Sequence, residues 1–193
     1  MPVIQIVRVG ETPLTEEELQ ELCRVVERLF PGASCGVSGD ILAVPRRAFN
    51  SSRIQFHSTV LLEEVLKYAL EHNLERAVGI TGVDMYTAGL NFVFGEAQCP
   101  GRAAVVSTFR LRPEFYGEPP NRPLFLERCV KEVVHELGHT FGLGHCSDRR
   151  CVMSFSNSIY DTDFKRPSFC DRCSTLLKSL LSQAVRGARP PYT

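Results

Sequence analysis

The chain of 193 residues contains no tryptophan, no excess of charge of either sign and no long hydrophobic run. Its 22 lysines and arginines balance 22 aspartates and glutamates, so no general attraction to nucleic acid or to an anionic membrane surface is expected. Apolar runs such as 60–62 are far shorter than the ~20 residues that a membrane span needs. We therefore expect neither a nucleic acid nor a membrane as a partner.

Cysteine is also sparse: eight residues in a chain of this length are too few for a disulfide scaffold. The opening residues 1–8 predict a strand, and they lack the basic, apolar and small-residue regions of a signal peptide. A cytoplasmic monomer is expected, in whose reducing surroundings closely spaced cysteines bind metal more often than they form disulfides. The separated residues Cys23, Cys35 and Cys129 are predicted to be core fillers.

The remaining composition, with 44% hydrophobic and 23% charged residues, is typical of one globular domain over residues 1–193. Strands and helices alternate through an upper part, 1–142, and a loop-rich, cysteine-rich lower part follows over 143–193, which predicts an α+β fold with an α/β-type upper part. Helices are predicted near 15–30, 59–72, 124–141 and 174–185, and strands near 1–8, 34–44, 77–81, 90–94 and 103–109.

The third predicted helix carries the pattern H-E-x-x-H-x-x-G-x-x-H. His135 and His139 are four residues apart and project from one helix face, which suits two imidazoles on one zinc ion. Gly142 follows the helix and permits a sharp turn that returns His145 as a third ligand. Three protein ligands leave one position open for water, which is typical of a catalytic zinc site.

Glu136 lies between the two helical histidines. We expect it to point away from the core, near the open zinc position, where it can take a proton from a zinc-activated water and later pass it to a leaving amine. Coincidence within a core helix is the alternative explanation of the pattern, but its five specified positions make chance agreement rare. The motif predicts a zinc-dependent peptidase with Glu136 as general base and acid.

The residues that follow resemble one known family. The histidine motif followed closely by Met153 is the metzincin signature. Cys146 and Cys151 lie between His145 and Met153, Cys170 and Cys173 come later, and the whole arrangement resembles the archaemetzincins over about 76–175. The resemblance implies a metzincin-like zincin fold: a mixed twisted sheet with backing helices, an active-site helix, and an irregular lower subdomain stabilised by zinc. It also implies that Met153 forms the turn beneath the catalytic zinc.

The four clustered cysteines form two close pairs, Cys146 with Cys151 and Cys170 with Cys173. Such pairs have the spacing of a structural zinc site of four thiolates. Two disulfides or four unused thiols are the alternatives that the sequence leaves open. With the histidine site, the prediction is two zinc ions per chain, one catalytic and one structural.

One position departs from related metzincins. Astacin-type relatives have a tyrosine just after the methionine of the turn, whereas Ser154 and Phe155 stand here. A tyrosine that assists the zinc is therefore not expected at that place. Tyr160 is the nearest tyrosine, and the sequence assigns it no role.

Two functions are weighed. The first is a zinc metallopeptidase whose peptide or protein substrate lies extended along the sheet edge near 91–97. The second is a zinc-stabilised interaction module with a vestigial or closed peptidase centre, favoured by a modest basic cluster near the cysteines. Intact catalytic residues argue for the first function. The basic cluster consists of Arg149, Arg150, Lys165, Arg166 and Arg172.

Overall fold

The computed structural model describes residues 2–187, and only the backbone beyond residue 183. Two sheets and five α-helices make up this part of the chain. The helices are α1 (Glu16–Leu29), α2 (Ser58–Glu71), α3 (Arg122–Thr140), α4 (Ile159–Phe164) and α5 (Asp171–Gly187). The strands are β1 (Val3–Val9), β2 (Ser34–Leu42), β3 (Phe49–Asn50), β4 (Gln55–His57), β5 (Arg76–Thr81), β6 (Met85–Tyr86), β7 (Gly95–Ala97) and β8 (Ala103–Ser107).

The main sheet has five strands in the order β2-β1-β5-β8-β7. The first four run parallel, and β7 closes one edge antiparallel to β8, so the sheet is mixed as predicted. Side chains of β1 alternate between two cores: Ile4 and Ile6 pack with α1 and α3, whereas Val7 and Val9 pack with α2. The sheet is therefore buried on both faces between helices.

Local signals fix the ends of the helix that carries the motif. The Asn121 side chain accepts a hydrogen bond from the Leu124 amide and caps α3, and Pro123 occupies the first turn. At the other end Gly142 adopts φ = +99° and its amide bonds to the His139 carbonyl at 2.8 Å. The turn predicted at Gly142 is thus present, and α3 points its last turn at the lower part of the chain.

The lower part shares its core with the upper part. Val152, Met153 and Leu177 belong to the same buried cluster as Phe30 of the upper part. Arg128 on α3, only 2% exposed, forms a two-fold ion pair with Asp163 on α4 at 2.7 Å. Packing and ion pairing therefore join α3 to the segment beneath it.

Several sequence predictions need correction. The predicted strand over 90–94 is an irregular segment, and the edge strand is only Gly95–Ala97. The small sheet β3-β4-β6 and the short helix α4 were not predicted. Cys23 and Cys35 are not separate core fillers but form a disulfide between α1 and β2, with Cα atoms 5.1 Å apart. Among the described helices, none is long and apolar enough to cross a membrane.

Candidate metal centre and active site

The three motif histidines converge at the end of α3. The Nε2 atoms of His135 and His139 lie 3.1 Å apart, and one nitrogen of each of the three imidazoles, His145 included, lies within 4.8 Å of the others. His145 stacks on the His135 ring with centroids 5.5 Å apart. Three nitrogen donors this close to one another fit a zinc ion.

Backbone carbonyls orient the two helical histidines. Nδ1 of His135 donates to the Val152 carbonyl at 2.8 Å, and Nδ1 of His139 donates to the Leu143 carbonyl at 2.7 Å, in the tautomers that leave both Nε2 atoms free. Such partners fix the ring orientation of a metal-binding histidine and raise its basicity. The turn at Gly142 thus brings in His145 and also supplies the carbonyl that holds His139.

Burial keeps these imidazoles neutral. It is the largest cause that holds the pKa of His135 well below its usual value, and the positive charge of Lys165 adds to the effect. Burial also lowers the pKa of His139 and of His145. Neutral imidazoles offer the lone pairs that a metal needs.

Glu136 lies under the edge strand rather than pointing away from the core, and it is only 5% exposed. A Cβ atom on Gly95 would lie 2.5 Å from its Cγ atom, so only glycine leaves room for this carboxylate. Burial, followed by the negative charges of Glu132 and Glu96, raises its pKa well above the usual value, and Lys165 opposes the shift. A carboxyl group with a raised pKa suits proton transfer near neutral pH.

Met153 packs against α3 at Gly138, next to His139 in the sequence, and is fully buried. Its sulfur would be 2.5 Å from a Cβ atom on Gly138, so the methionine fits against bare backbone of α3. Its carbonyl accepts a hydrogen bond from the Cys146 amide at 2.9 Å. The turn that carries Met153 is therefore tied directly to the first cysteine of the cluster.

The four clustered cysteines meet behind this turn. Their sulfur atoms all lie within 4.8 Å of one another, with Cys146 and Cys170 at 3.8 Å, and no disulfide joins them in the described structure. The Cys173 amide is the largest cause that lowers the pKa of Cys170. Four converging thiols of this kind fit a tetrahedral structural zinc.

A cleft of about 570 Å³ opens over the histidines and Glu136. Its upper wall is the segment 90–97, and its lower wall includes Phe155, which packs on the His145 ring at 5.0 Å. Cys99 also lines the cleft, with its sulfur 3.6 Å from the Leu143 carbonyl. Tyr160 is 74% exposed and does not line the cleft.

Two charged residues at the base of the site were not found from sequence. Lys165, assigned to the surface basic cluster, is buried, and its Nζ atom donates to Oε1 of Glu132 at 3.2 Å and to the Ser154 carbonyl at 3.2 Å. Glu132 lies one helical turn before Glu136 on α3. The spacing of these two glutamates was the signal that could have revealed Glu132, whereas nothing in the sequence indicates that Lys165 is buried.

Comparison with known proteins agrees with this geometry. The model of Peptidase family M54 matches residues 34–179. The archaemetzincin of Thermococcus kodakarensis is 45% identical over 184 residues, which cover 93% of this chain and 98% of that protein. The archaemetzincin of Methanopyrus kandleri is 49% identical over 140 residues, 72% of this chain and 75% of that protein.

Solved structures give the same result. The crystal structure of the Methanopyrus kandleri archaemetzincin superposes with a TM-score of 0.83 at 40% identity and covers 94% of this chain and 96% of that one. The crystal structure of the Archaeoglobus fulgidus archaemetzincin, complexed with malonate, superposes with a TM-score of 0.74 at 36% identity. It covers 90% of this chain and 98% of that one. The structure of metalloproteinase-II of Bacteroides fragilis superposes with a TM-score of 0.55 at 11% identity and covers 94% of this chain and 52% of that one. This likeness concerns the fold alone.

Fold, histidine cluster and relatives together define a zinc metallopeptidase with a metzincin-like architecture. Within that class, the chain belongs to the archaemetzincins, Peptidase family M54. The predicted family, fold class and enzymatic class are thereby confirmed.

Proposed function

We propose that His135, His139 and His145 bind the catalytic zinc, that Glu136 transfers the protons of peptide hydrolysis, and that Met153 forms the turn beneath the metal. The observation that carries this proposal is the convergence of three imidazoles within 4.8 Å beside a buried carboxylate. When bound, zinc would act as a Lewis acid that polarises the scissile carbonyl and lowers the pKa of water towards ~7.

The protein's own groups account for the remaining chemistry. Glu136 accepts a proton from the attacking water and delivers it to the amine that leaves, because its raised pKa lets it hold a proton between the two steps. The carbonyls of Val152 and Leu143 keep both helical imidazoles in the correct tautomer. The burial of Glu136 limits the access of bulk water to the reaction.

A peptide substrate would lie along β7. This strand is the free edge of the main sheet, and it forms the upper wall of the cleft directly above Glu136. An extended peptide can add to such an edge through main-chain hydrogen bonds, which positions its scissile bond over the histidines. The substrate path proposed from sequence, 91–97, is thus shortened to a strand contact at Gly95–Ala97.

A second zinc would be bound by Cys146, Cys151, Cys170 and Cys173, giving two ions per chain. The chemistry of four converging thiols favours a structural role, since no position is left open for water. We also propose a cleft that separates an upper subdomain, 1–142, from a lower one, 143–193. A monomeric state and a cytoplasmic location stay predictions.

The interaction-module alternative has little support, because the chain belongs to a peptidase family and retains the whole histidine motif. Its basic cluster is also smaller than expected, since Lys165 is buried. The test is hydrolysis of a mixed peptide library by zinc-loaded protein, with and without a chelator. Chelator-sensitive cleavage supports the peptidase, and no cleavage by protein with full zinc content contradicts it.

A further inference from the structure

The floor of the cleft contains a carboxylate that the catalytic mechanism does not use. Glu132 is 2% exposed, and its Oε1 atom accepts hydrogen bonds from Thr162 at 3.0 Å and from Lys165 at 3.2 Å. No described residue donates to Oε2. Because Oε2 has no partner but is not sealed from solvent, it keeps a small accessible surface.

The Glu132 side chain borders the cleft. Glu132 is one of the residues that line the cleft, so the little surface it retains opens there. Lys165 and Thr162 hold Oε1, which fixes the side chain and leaves Oε2 as the carboxylate oxygen without a partner among the described residues. Ser156, another cleft-lining residue, hydrogen-bonds to the same Thr162 hydroxyl at 3.1 Å, so the floor on this side is a connected polar network.

The charge of the lining is of one sign. Apart from the histidines, the charged residues that line the cleft in the described structure are Glu96, Glu132 and Glu136. Both oxygens of Glu96 already accept hydrogen bonds from the hydroxyls at the start of α2, and Glu136 is assigned to the reaction. Glu132 is left with an oxygen that an apolar substrate side chain would cover without a partner, at a cost in free energy.

We propose that Glu132 determines substrate specificity by binding the ammonium or guanidinium group of a lysine or arginine side chain close to the scissile bond. The inference rests on the proposed peptidase function. A basic side chain would make a charge-assisted hydrogen bond to Oε2, whereas an apolar chain would leave this oxygen unpaired. Lys165 and Thr162 act as positioning residues for Glu132.

Cleavage of a random heptapeptide mixture, with products sequenced by mass spectrometry, tests the proposal. Zinc-loaded wild-type protein is expected to enrich lysine and arginine about tenfold at one fixed position, the value for one charge-assisted hydrogen bond. The double variant Glu132→Gln/Lys165→Met removes both charges and avoids an unpaired buried ammonium. It should lose the enrichment, whereas the control Glu17→Gln, at an exposed position on α1, should keep it.

Enrichment that is absent from the wild type, or that survives in the double variant, would overturn the proposal. A binding measurement separates this failure from failure of the peptidase function. Zinc-loaded Glu136→Ala protein is incubated with the same mixture, and retained peptides are identified after ultrafiltration. If the wild type cleaves nothing, the peptidase function fails, and the retention measurement alone decides the proposal. Retention of basic peptides only while Glu132 and Lys165 are present supports the proposal. Equal retention with and without these residues, or no retention, overturns it.

Discussion

Glu136 depends on the space that Gly95 leaves for it. A methyl group at Gly95 would lie 2.5 Å from Cγ and 2.6 Å from Oε1 of the carboxylate, so Gly95→Ala must displace Glu136 or the edge strand. Misplacement of a reacting group by about 1 Å costs about 100-fold in rate, and we expect a loss of that order in kcat/KM. Gly36→Ala, where a Cβ atom meets nothing within 4 Å, is the control and should match the wild type. Equal activity of the two variants would contradict the assigned position of Glu136.

The histidines make zinc binding sensitive to acid. Their pKa values lie below the unfolded value of ~6.5, so the unfolded chain binds more protons below that pH. Their contribution to stability is therefore present above pH ~6.5 and is lost as the pH falls. Zinc also requires neutral imidazoles, so we expect release some way below pH ~6.5. Metal analysis after dialysis at falling pH measures this, and full occupancy of the histidine site at pH ~4 would contradict it.

The roles of some single residues can be predicted from the sequence, whereas the roles of others cannot. The spacing of His135, Glu136, His139 and His145 predicts a common site, because helix geometry fixes which side chains share a face. The carbonyls that orient the imidazoles have no sequence signal, since every residue carries one. Burial of Glu136 depends on a strand 41 positions earlier, and only the folded sheet brings Gly95 above it.

Among the elements, the cysteine cluster and the active-site helix are coupled through one short segment. Cys151 precedes Val152, whose carbonyl holds His135, and Met153, whose carbonyl holds Cys146. We therefore expect Cys170→Ser, in the second cysteine pair, to weaken zinc binding at the histidines by about 10–100-fold, as loss of a supporting hydrogen bond does.

Zinc titration combined with limited proteolysis of the segment 146–173 measures this coupling. Thr175→Ala, an exposed position on α5, the helix that begins directly after Cys170, is the control and should bind zinc as the wild type does. Unchanged affinity at the histidine site together with an uncut segment in Cys170→Ser would show that the two sites are independent.

The segment 90–94 shows why one element could not be predicted. Its apolar residues suggest a strand, but Arg53 and Gln55 donate to the Asn91 carbonyl in place of a neighbouring strand. The Arg110 guanidinium lies over the Phe92 ring at 4.5 Å and is paired with Asp84. Tertiary contacts with side chains distant in sequence therefore override the local preference for a strand.

At the scale of the whole molecule, the buried pair of Lys165 and Glu132 joins the lower part of the chain to α3. Their side chains are 1% and 3% exposed, so removal of one charge leaves the other unpaired in the core. Lys165→Met is expected to lower the free energy of unfolding by about 3–5 kcal/mol at neutral pH. Urea denaturation measures the change, and the exposed Lys178→Met is the control, expected within ~0.5 kcal/mol of the wild type. A change in the free energy of unfolding within ~0.5 kcal/mol for Lys165→Met would contradict a stabilising role of the buried pair.

The general architecture could be predicted because its signals are local and repeated. Alternation of strands with amphipathic helices predicted the α/β-type upper part. The helix predicted near 15–30 is α1, whose start is fixed by a capping box of Thr15 and Glu18. The lower part has few such signals, since the cysteine cluster and contacts with α3 stabilise it more than helix or strand periodicity does. The short helix α4 and the burial of Lys165 were missed for that reason.

The central claim is that this archaemetzincin hydrolyses peptides with Glu136 transferring protons beside a zinc bound by histidines. The most direct measurement compares hydrolysis of one peptide library by wild-type and Glu136→Ala protein, with the zinc content of each determined by mass spectrometry. Because Glu136 is not a ligand, the variant should keep its zinc and lose about 10²–10⁴-fold in rate. Substantial turnover by a variant with unchanged zinc content would contradict the account.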